Sequence, residues 1–435
     1  MDERLQKIHQ ARRKRLARSL EGGIALIPTA PQVQRNADTA YPYRWDSHFY
    51  YLTGFTEPEA VLVVLGDKRP TSILFCRARD AAREIWDGRR LGPRRAPAEL
   101  GVDEAWPMEQ LPVRLPQLLA NRPSLHTPLG LYPQWDQQIM AWLGQVRAQA
   151  RRGVSAPEHL LEVRAALDEM RLFKDAEEIK RLKQAAQISA QAHCRAMRAT
   201  APGRFEYEIE AELLQAFRQA GADAPAYPSI VAGGANACIL HYVENNARLR
   251  PGSLLLIDAG CEYQGYAGDI TRTFPVGGTF SAPQRDLYQV VLAAQQAALA
   301  QVKPGKPFQA YHEAALRVLV EGLIHYKLCR GSVEAVLASQ DYQRFYMHRT
   351  GHWLGMDVHD VGCYTHQGRS RSLQPGMVLT VEPGLYVRPG PQVPRAFRHL
   401  GIRIEDDVLV TPTGHTVLTA EAPKTVADIE AWMQD

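Results

Sequence analysis

Four of the fourteen histidines lie within twenty residues, in the segment MHRTGHWLGMDVHDVGCYTH (347–366). His348 and His352 are four residues apart, as in the helical zinc motif H-E-x-x-H, but the glutamate of that motif is missing. Gly351 and Gly355 also disfavour a helix, because glycine costs about 1 kcal/mol in a helix interior. The spacing therefore does not predict a zinc site built from these histidines alone.

Four acidic residues stand in or at the ends of apolar runs, where a carboxylate is costly unless it is paired or coordinated. Asp258 follows SLLLI, and Asp269 comes after the turn-rich GCEYQGYAG, which predicts a hairpin. Glu382 ends MVLTV, and Glu405 lies within GIRIEDDVLV, which predicts another strand. Each acid alone is typical of a salt bridge at a strand end. Together with His352 they form an oxygen-rich ligand set that suits Mn²⁺, with Co²⁺ or Zn²⁺ as alternatives.

An internal repeat relates two of these acids. Two pairs of segments are similar, namely APGRFEYEIEAEL (201–213) with KPGKPFQAYHEAAL (303–316), and RPGSLLLIDAG (250–260) with QPGMVLTVEPG (374–384). In the second pair Pro-Gly opens a strand and an acid follows, so Asp258 and Glu382 occupy equivalent positions. We therefore predict two half-domains related by a pseudo-twofold axis, which brings the acids into one shared site.

The elements around this set predict two domains. GIALIP, AVLVVLG and TSILFC indicate buried strands, whereas LPVRLPQLLA and WDQQIMAWLGQVRAQA indicate helices. They predict an α/β layer domain over residues 1–172. The second domain, 173–435, begins with a helix that has Asp175 as N-cap and Glu178 at capping-box spacing. His193 lies on the predicted inner face of that helix, and we assign it no chemistry.

Composition is that of a globular protein in water. Of the 435 residues 45% are hydrophobic and 23% are charged, and the net charge of +4 favours neither nucleic acid nor a membrane as partner. No apolar run approaches the roughly 18–20 residues of a membrane helix. The basic segment MDERLQKIHQARRKRLARSL lacks the features of a signal peptide, and predicts an exposed amphipathic helix rather than a nucleic-acid-binding arm. The six cysteines form no C-x-x-C pair, which favours the reducing cytoplasm.

Taken in order, the motifs resemble the metal site of the pita-bread metallopeptidases and, within them, the aminopeptidase P (Xaa-Pro aminopeptidase) family. The matching segments are DAGCEYQGYAGDITRTFPV, HRTGHWLGMDVHD, VEPGLY and GIRIEDD. The segment RNADTAYPYRWDSHFYYLTGFTEPEAVLVV (35–64) is similar to the first domain of that family, so the resemblance covers nearly the whole chain. It implies a mixed α/β (α+β) protein with an N-terminal aminopeptidase P-type domain and a C-terminal pita-bread domain.

The resemblance implies a dinuclear centre with two divalent ions, Mn²⁺ before Co²⁺ or Zn²⁺. The implied ligands are Asp258, Asp269, His352, Glu382 and Glu405. Asp269 and Glu405 would bridge both ions, whereas His352 and Glu382 would complete one and Asp258 would chelate the other. Glu382 would also act as the general base toward the attacking water.

The resemblance also implies roles beyond the ligand set. His241 and His359 would bind the scissile carbonyl and stabilise the oxyanion. Arg403, two residues before Glu405 and therefore on the same strand face, would orient the bridging carboxylates. The implied substrate-binding residues are Tyr227, His348 and Tyr364 around a proline ring, Asp38 at the substrate ammonium, and Trp86 at the site of a neighbouring subunit. Packing is the alternative for Tyr227 and Tyr364, and a structural or solvated position is the alternative for Asp38 and Trp86.

The activity implied is release of the N-terminal residue from peptides with proline in the second position. Ordinary peptidases position such a bond badly, because the tertiary amide lacks an N–H and carries a ring. The alternatives are a prolidase, which cleaves only the dipeptide with the same ligands, and a non-catalytic pita-bread module that binds protein or nucleic acid. RNADTAYPYR favours the aminopeptidase, and the intact ligand set favours an enzyme. We expect a cytoplasmic homo-oligomer, a dimer or tetramer, with peptides as partners and no nucleic acid or membrane.

Overall fold

The computed structural model describes residues 2–434. The chain forms two compact units, Met1–Met170 and Arg171–Asp435, and helix α7 spans the division between them. Both units contain helices and strands, which confirms the predicted mixed α/β class. In the described part of the chain, no helix has both the length and the apolar character needed to cross a membrane.

The first unit is built on a mixed six-stranded sheet of order β6-β5-β4-β1-β7-β8. Its helices are α1 (Glu3–Ser19), α2 (Ser47–Thr53), α3 (Ala81–Asp87), α4 (Ala96–Leu100), α5 (Leu111–Leu119), α6 (Pro133–Arg147) and α7 (Arg164–Leu172). Its strands are β1 (Ile24–Pro28), β2 (Gln34–Asn36), β3 (Thr39–Ala40), β4 (Val61–Leu65), β5 (Thr71–Cys76), β6 (Glu104–Pro107), β7 (Ser124–Thr127) and β8 (His159–Glu162). The strands and helices expected from GIALIP, AVLVVLG, TSILFC, LPVRLPQLLA and WDQQIMAWLGQVRAQA are all present.

The predicted N-terminal helix α1 is present and most of its basic residues are exposed, but two arginines are buried. Arg12 and Arg13 are 8% and 2% exposed. Arg12 Nη1 donates to the carbonyl oxygen of Tyr51 at 3.1 Å, and Arg13 Nη1 donates to that of Leu52 at 2.7 Å. The last carbonyl groups of a helix have no partner within it. The two guanidinium groups therefore satisfy carbonyl groups in the last turn of α2, and their charge is structural.

The second unit contains six helices and thirteen strands among its described residues. Its helices are α8 (Ala176–Ala199), α9 (Glu206–Gln219), α10 (Ala282–Leu299), α11 (Gln309–His325), α12 (Val333–Ser339) and α13 (Val426–Gln434). Its strands are β9 (Ala224–Pro225), β10 (Ile230–Gly233), β11 (Leu254–Asp258), β12 (Cys261–Tyr263), β13 (Tyr266–Ala267), β14 (Thr271–Pro275), β15 (Thr365–His366), β16 (Arg369–Ser370), β17 (Val378–Val381), β18 (Gly384–Val387), β19 (Leu400–Arg403), β20 (Asp406–Val410) and β21 (His415–Val417).

The predicted internal repeat is visible in this list. Helices α8 and α9 precede the antiparallel sheet β10-β11-β14, and helices α10 and α11 precede the antiparallel sheet β17-β20-β21. Asp258 is the last residue of β11, and Glu382 directly follows β17. The two acids therefore stand at equivalent strand ends of two half-domains, as the repeat predicts.

Helix α8 begins as predicted, with Asp175 as N-cap and a complete capping box to Glu178. On its inner face His193 is fully buried, and its Nε2 lies 2.9 Å from the carbonyl oxygen of Ala259. Because a carbonyl oxygen can only accept, Nε2 carries the hydrogen. The contact accounts for His193 as a structural residue.

Candidate metal centre and substrate cavity

A cavity of about 1090 Å³ opens in the second unit. It is lined by all but two of the predicted site residues, namely Tyr227, His241, Asp258, Asp269, His348, His352, His359, Tyr364, Glu382, Arg403 and Glu405. The remaining two, Asp38 and Trp86, belong to the first unit. Asp38 lies between strands β2 and β3 and is exposed, and Trp86 lies in α3 with 84% exposure.

The backbone of the first half-domain brings two acids to the cavity. Asp258 ends β11, where it pairs with Ile230 of β10 and Thr271 of β14. Asp269 follows the β12–β13 hairpin that the turn-rich sequence predicts. The chain closes tightly here, because a Cβ at Gly260 would lie 1.7 Å from the carbonyl oxygen of the residue before Asp269. The hairpin thus returns the second carboxylate to the side of the first.

The sequence GIRIEDDVLV predicts one continuous strand through Glu405, but the structure has two strands separated at this residue. β19 pairs with β18, whereas β20 pairs with β17, so the chain changes sheets at residues 404–405. Glu405 sits in the break, where its N–H donates to Thr271 O at 3.1 Å and its Oε2 accepts from Thr271 Oγ1 at 2.6 Å. β19 ends at Arg403, so the two residues do not share a strand, but both side chains line the cavity, as the predicted common face requires.

Three of the predicted ligands, from separate segments of the chain, lie close enough together to bind one metal ion. One ligand atom each from Asp269, His352 and Glu405 lies within 4.8 Å of the others. His352 Nε2 is 3.5 Å from Asp269 Oδ2 and 3.6 Å from Glu382 Oε1. His352 Nδ1 lies 2.9 Å from the carbonyl oxygen of Trp353, which can only accept, so Nδ1 carries a hydrogen. The other ring nitrogen is thereby directed at the carboxylates, in the orientation a metal ligand requires.

The acids of the cluster are buried close together, and their pKa values are shifted from the ordinary values. Burial, and then repulsion by neighbouring carboxylates, raises the pKa of Asp269 and raises that of Glu405 well above its ordinary value. Burial also raises the pKa of Glu382 to about 7. Burial alone would lower the pKa of His352, but Asp269 and Glu382 raise it to about 9. Buried carboxylates that repel one another are stabilised by a bound cation. A set of carboxylate oxygens with one imidazole suits a hard divalent cation.

One hydroxyl group and one guanidinium group hold the acids of the first half-domain. Tyr227 Oη lies 2.6 Å from Asp258 Oδ1 and 2.5 Å from Asp269 Oδ1, so its single hydrogen is shared between the two carboxylates. Burial raises the pKa of Tyr227 well above its ordinary value, so the phenol remains a donor. Arg403 Nη2 donates to Asp258 Oδ2 at 2.7 Å. Tyr227 therefore lines the cavity and also contacts the acids, which the sequence did not suggest.

Arg403 reaches Glu405 indirectly, through side chains that sequence reasoning missed. Its Nε donates to Thr271 Oγ1 at 3.0 Å, and this hydroxyl donates to Glu405. Its Nη1 donates to Tyr386 Oη at 2.8 Å. Tyr386 stands in VEPGLY beside Glu382, and Thr271 stands in DITRTF two residues after Asp269, so both were close to recognised motifs.

The remaining histidines of the cavity differ in environment. His348 Nδ1 is 2.7 Å from Arg349 O and therefore donates, so Nε2 accepts from Tyr386 Oη at 2.9 Å. Burial, and then the charge of Arg403, lowers the pKa of His348 to about 3. The ring of His359 is centred 4.2 Å from that of His352, and burial followed by the charge of His352 lowers its pKa.

His312 is a further histidine in the lining, which sequence reasoning missed. It lies on α11, and its Nδ1 is 2.8 Å from Thr350 Oγ1. Burial lowers its pKa to about 4. The repeat segment KPGKPFQAYHEAAL gave no signal for it beyond helical periodicity.

Two family descriptions match separate parts of the chain. Residues 180–412 match metallopeptidase family M24, and residues 9–126 match the aminopeptidase P N-terminal domain. The Xaa-Pro aminopeptidase of Escherichia coli (strain K12) is 47% identical over 98% of this chain and 97% of that protein. The Xaa-Pro aminopeptidase of Haemophilus influenzae is 45% identical over 98% of this chain and 96% of that protein.

Solved structures are similar over the same extent. The aminopeptidase PepP of Pseudomonas aeruginosa has 48% sequence identity and a TM-score of 0.97, covering 99% of this chain and 98% of that one. A zinc-substituted Escherichia coli aminopeptidase P in complex with product has 46% identity and a TM-score of 0.96, covering 99% of this chain and 98% of that one.

Proposed function

Because the chain belongs to metallopeptidase family M24, we propose that it is an Xaa-Pro aminopeptidase, which releases the N-terminal residue from peptides with proline in the second position. The observation that carries the proposal is the convergence in one cavity of Asp258, Asp269, His352, Glu382 and Glu405 with His241 and His359. Relatives named Xaa-Pro aminopeptidase match nearly the whole chain, its N-terminal region included. That similarity favours an aminopeptidase over a prolidase and over a non-catalytic module.

The proposed cofactor is a pair of divalent cations, Mn²⁺ in preference to Co²⁺ or Zn²⁺. The residues that would hold them are Asp258, Asp269, His352, Glu382 and Glu405. Their donor set is the support: it has four carboxylates and one imidazole, and burial raises the pKa of three of the acids. When bound, such cations polarise the scissile carbonyl and lower the pKa of the attacking water.

The chain's own residues then handle protons and charge. Glu382 is the proposed general base, because it lines the cavity beside His352 and a carboxylate can take a proton from the attacking water. His359 has a lowered pKa and is neutral there, so it can donate an N–H to the carbonyl oxygen as negative charge develops. His241 is proposed to do the same from the cavity rim. Arg403 holds Asp258 in place through its 2.7 Å contact.

The proline ring is proposed to sit among Tyr227, His348 and Tyr364. The ring of Tyr364 stacks on that of Trp353 at 5.5 Å between centroids, which gives it a fixed orientation. Since an Xaa-Pro amide offers no N–H, a shaped pocket is a better means of recognition than a hydrogen bond. Asp38 is proposed to receive the substrate ammonium, and Trp86 to reach the site of a neighbouring subunit.

The proposed organisation is an aminopeptidase P-type domain over residues 1–172 and a catalytic domain over residues 173–435, assembled as a homodimer or homotetramer. The family match over residues 9–126 and that over residues 180–412 support the domain assignment. We propose a cytoplasmic location without nucleic-acid or membrane partners, supported by six cysteines that are all free.

A peptide panel tests this function. The purified chain, treated with chelator and then supplied with Mn²⁺, should release alanine from Ala-Pro-Ala and should leave Ala-Ala-Ala intact. Metal analysis of the untreated chain should find bound divalent ions. Cleavage of the dipeptide Ala-Pro alone would establish a prolidase instead, and absence of both metal and metal-dependent cleavage would refute the enzyme. Size measurement in solution tests the oligomer.

A further inference from the structure

The two histidines proposed to contact the scissile carbonyl lie on irregular backbone. His241 lies in a turn at residues 240–241, and His359 lies in a series of bends at residues 355–359. Neither residue belongs to a helix or strand, and both are exposed at the cavity. Something other than regular hydrogen bonding must therefore hold each histidine in place.

A buried glutamate lies beneath the loop that carries His241. Glu206, the first residue of α9, is 0% exposed. Its Oε1 accepts from the N–H of Gly233 at 2.7 Å and from Asn236 Nδ2 at 3.0 Å. Its Oε2 accepts from Tyr242 Oη and from the N–H of Ala247, both at 2.8 Å. One carboxylate thus ties together residues 233–247, including the immediate neighbour of His241.

A buried aspartate likewise holds the loop that carries His359. Asp360 is 5% exposed, and its Oδ1 accepts from Arg171 Nη2 at 2.6 Å while its Oδ2 accepts from Lys174 Nζ at 2.9 Å. Arg171 Nη2 also donates to Asp357 Oδ2 at 2.8 Å, at the other end of the loop. The packing is close, because a Cβ at Gly355 would lie 2.1 Å from Asp360 Oδ2.

We infer that Glu206 and Asp360 are positioning residues, each of which fixes the loop that presents one of the two carbonyl-binding histidines. This inference rests on the proposed function. Neither carboxylate is among the described residues that line the cavity, so neither touches the substrate. Each acts through its chain neighbour, Glu206 through the loop of His241 and Asp360 through that of His359.

The energetics favour a fixed loop in both cases. A buried acceptor that loses its donors and a buried charge that loses its partner are both destabilised, because water cannot replace the lost contacts. Loop conformations that break these contacts are therefore sparsely populated. Displacement by about 1 Å can cost a catalytic group about 10²-fold in rate, so an anchor outside the cavity can still control the reaction.

Double-mutant cycles test the inference on the full-length chain loaded with Mn²⁺. The positioning variants are Glu206→Gln and Asp360→Asn, which keep shape and remove charge, and the histidine variants are His241→Ala and His359→Ala. Each positioning variant should lower kcat for Ala-Pro-Ala about tenfold, with bound metal at the wild-type amount. Asp360→Asn should then have little further effect in the His359→Ala background, and Glu206→Gln little in the His241→Ala background.

The crossed pairs are the matched control. Glu206→Gln with His359→Ala, and Asp360→Asn with His241→Ala, should multiply their separate effects on kcat, because each acid anchors only its own loop. A purely structural role would make matched and crossed pairs behave alike, and that result would overturn the inference. If either positioning variant does not fold, Tyr242→Phe or Lys174→Met replaces it, since each removes one contact to the same carboxylate. A wild-type chain without Xaa-Pro cleavage would refute the proposed function instead.

Discussion

In the first half-domain of the second unit Asp258 stands at the end of β11, and in the second half-domain Glu382 stands at the equivalent end of β17. Asp258 accepts from Arg403 at 2.7 Å and from Tyr227 at 2.6 Å. The contacts of Glu382 are longer, 3.4 Å to Thr380 Oγ1 and 3.6 Å to His352 Nε2. Two acids in the same structural position are therefore held quite differently.

The difference indicates that the two half-domains have different roles in the site, which the repeat alone would not reveal. An acid held by a guanidinium and a phenol is fixed in position, whereas an acid with only longer contacts is freer to accept and return a proton. The first half-domain thus supplies firmly held carboxylates, and the second supplies the proposed base and the imidazole ligand. Asp269 joins them, since its Oδ1 faces Tyr227 and its Oδ2 faces His352.

The largest effect is expected where the half-domains meet. Asp269→Ala should lose bound metal and lower kcat/KM for Ala-Pro-Ala by at least about 10³-fold, equivalent to about 4 kcal/mol. The reason is that it removes the acid facing both Tyr227 and His352. Elemental analysis and steady-state kinetics measure the two losses. Retention of a full complement of metal would show that the acids are not one site.

His359→Ala should separate chemistry from metal binding within the second half-domain. Loss of a donor to the developing oxyanion lowers kcat by about 10²–10³-fold. Bound metal should remain at the wild-type amount, because His359 is not among the proposed ligands. Metal analysis of the variant decides the point, and loss of metal would mean that the histidines have been sorted wrongly.

Tyr227→Phe should weaken metal binding by the acids of the first half-domain. Removing the hydroxyl takes away the one donor that Asp258 and Asp269 share, and loss of such a partner typically lowers metal affinity about 10–100-fold. Tyr346→Phe is the matched control, because its hydroxyl contacts Thr350 at 2.6 Å and no acid of the site. Competition with a chelator measures both affinities. Equal effects would contradict the importance of the Tyr227 contacts.

The smallest expected effect is on the pH dependence of stability, through two buried histidines on α8 and α11. Burial lowers the pKa of His193 and of His312 to about 4, below the ordinary value of 6.5. Because each folded-state pKa is depressed, the stability they contribute is full above about pH 6.5 and is lost as pH falls toward 4. The free energy of unfolding of His193→Gln should therefore fall less than that of wild type, by about 2 kcal/mol, between pH 7 and 4.5. Urea titrations of the chelator-treated chain measure this difference, and parallel pH profiles would contradict it.

Several features followed from local pattern. The capping box at Asp175, the buried strands of the first unit and the repeat around Asp258 and Glu382 were predicted because periodicity, caps and Pro-Gly turns act over short stretches of chain. The burial of Arg12 and Arg13 was not predicted, since local pattern could not reveal that they meet carbonyl groups some forty residues away. The single strand through Glu405 was wrong, because its alternation does not reveal a change of partner strand.

The sequence by itself determined which side chains are available for chemistry, their order, and the family to which they belong, because these depend on residue type and spacing. Only the tertiary structure decided how each is held. Tyr227 meets two acids, Arg403 reaches Glu405 through Thr271, and Glu206 and Asp360 lie beneath the histidine loops. Such contacts join residues far apart in the chain, and their strength depends on burial and on ångström-scale distances that no local pattern encodes.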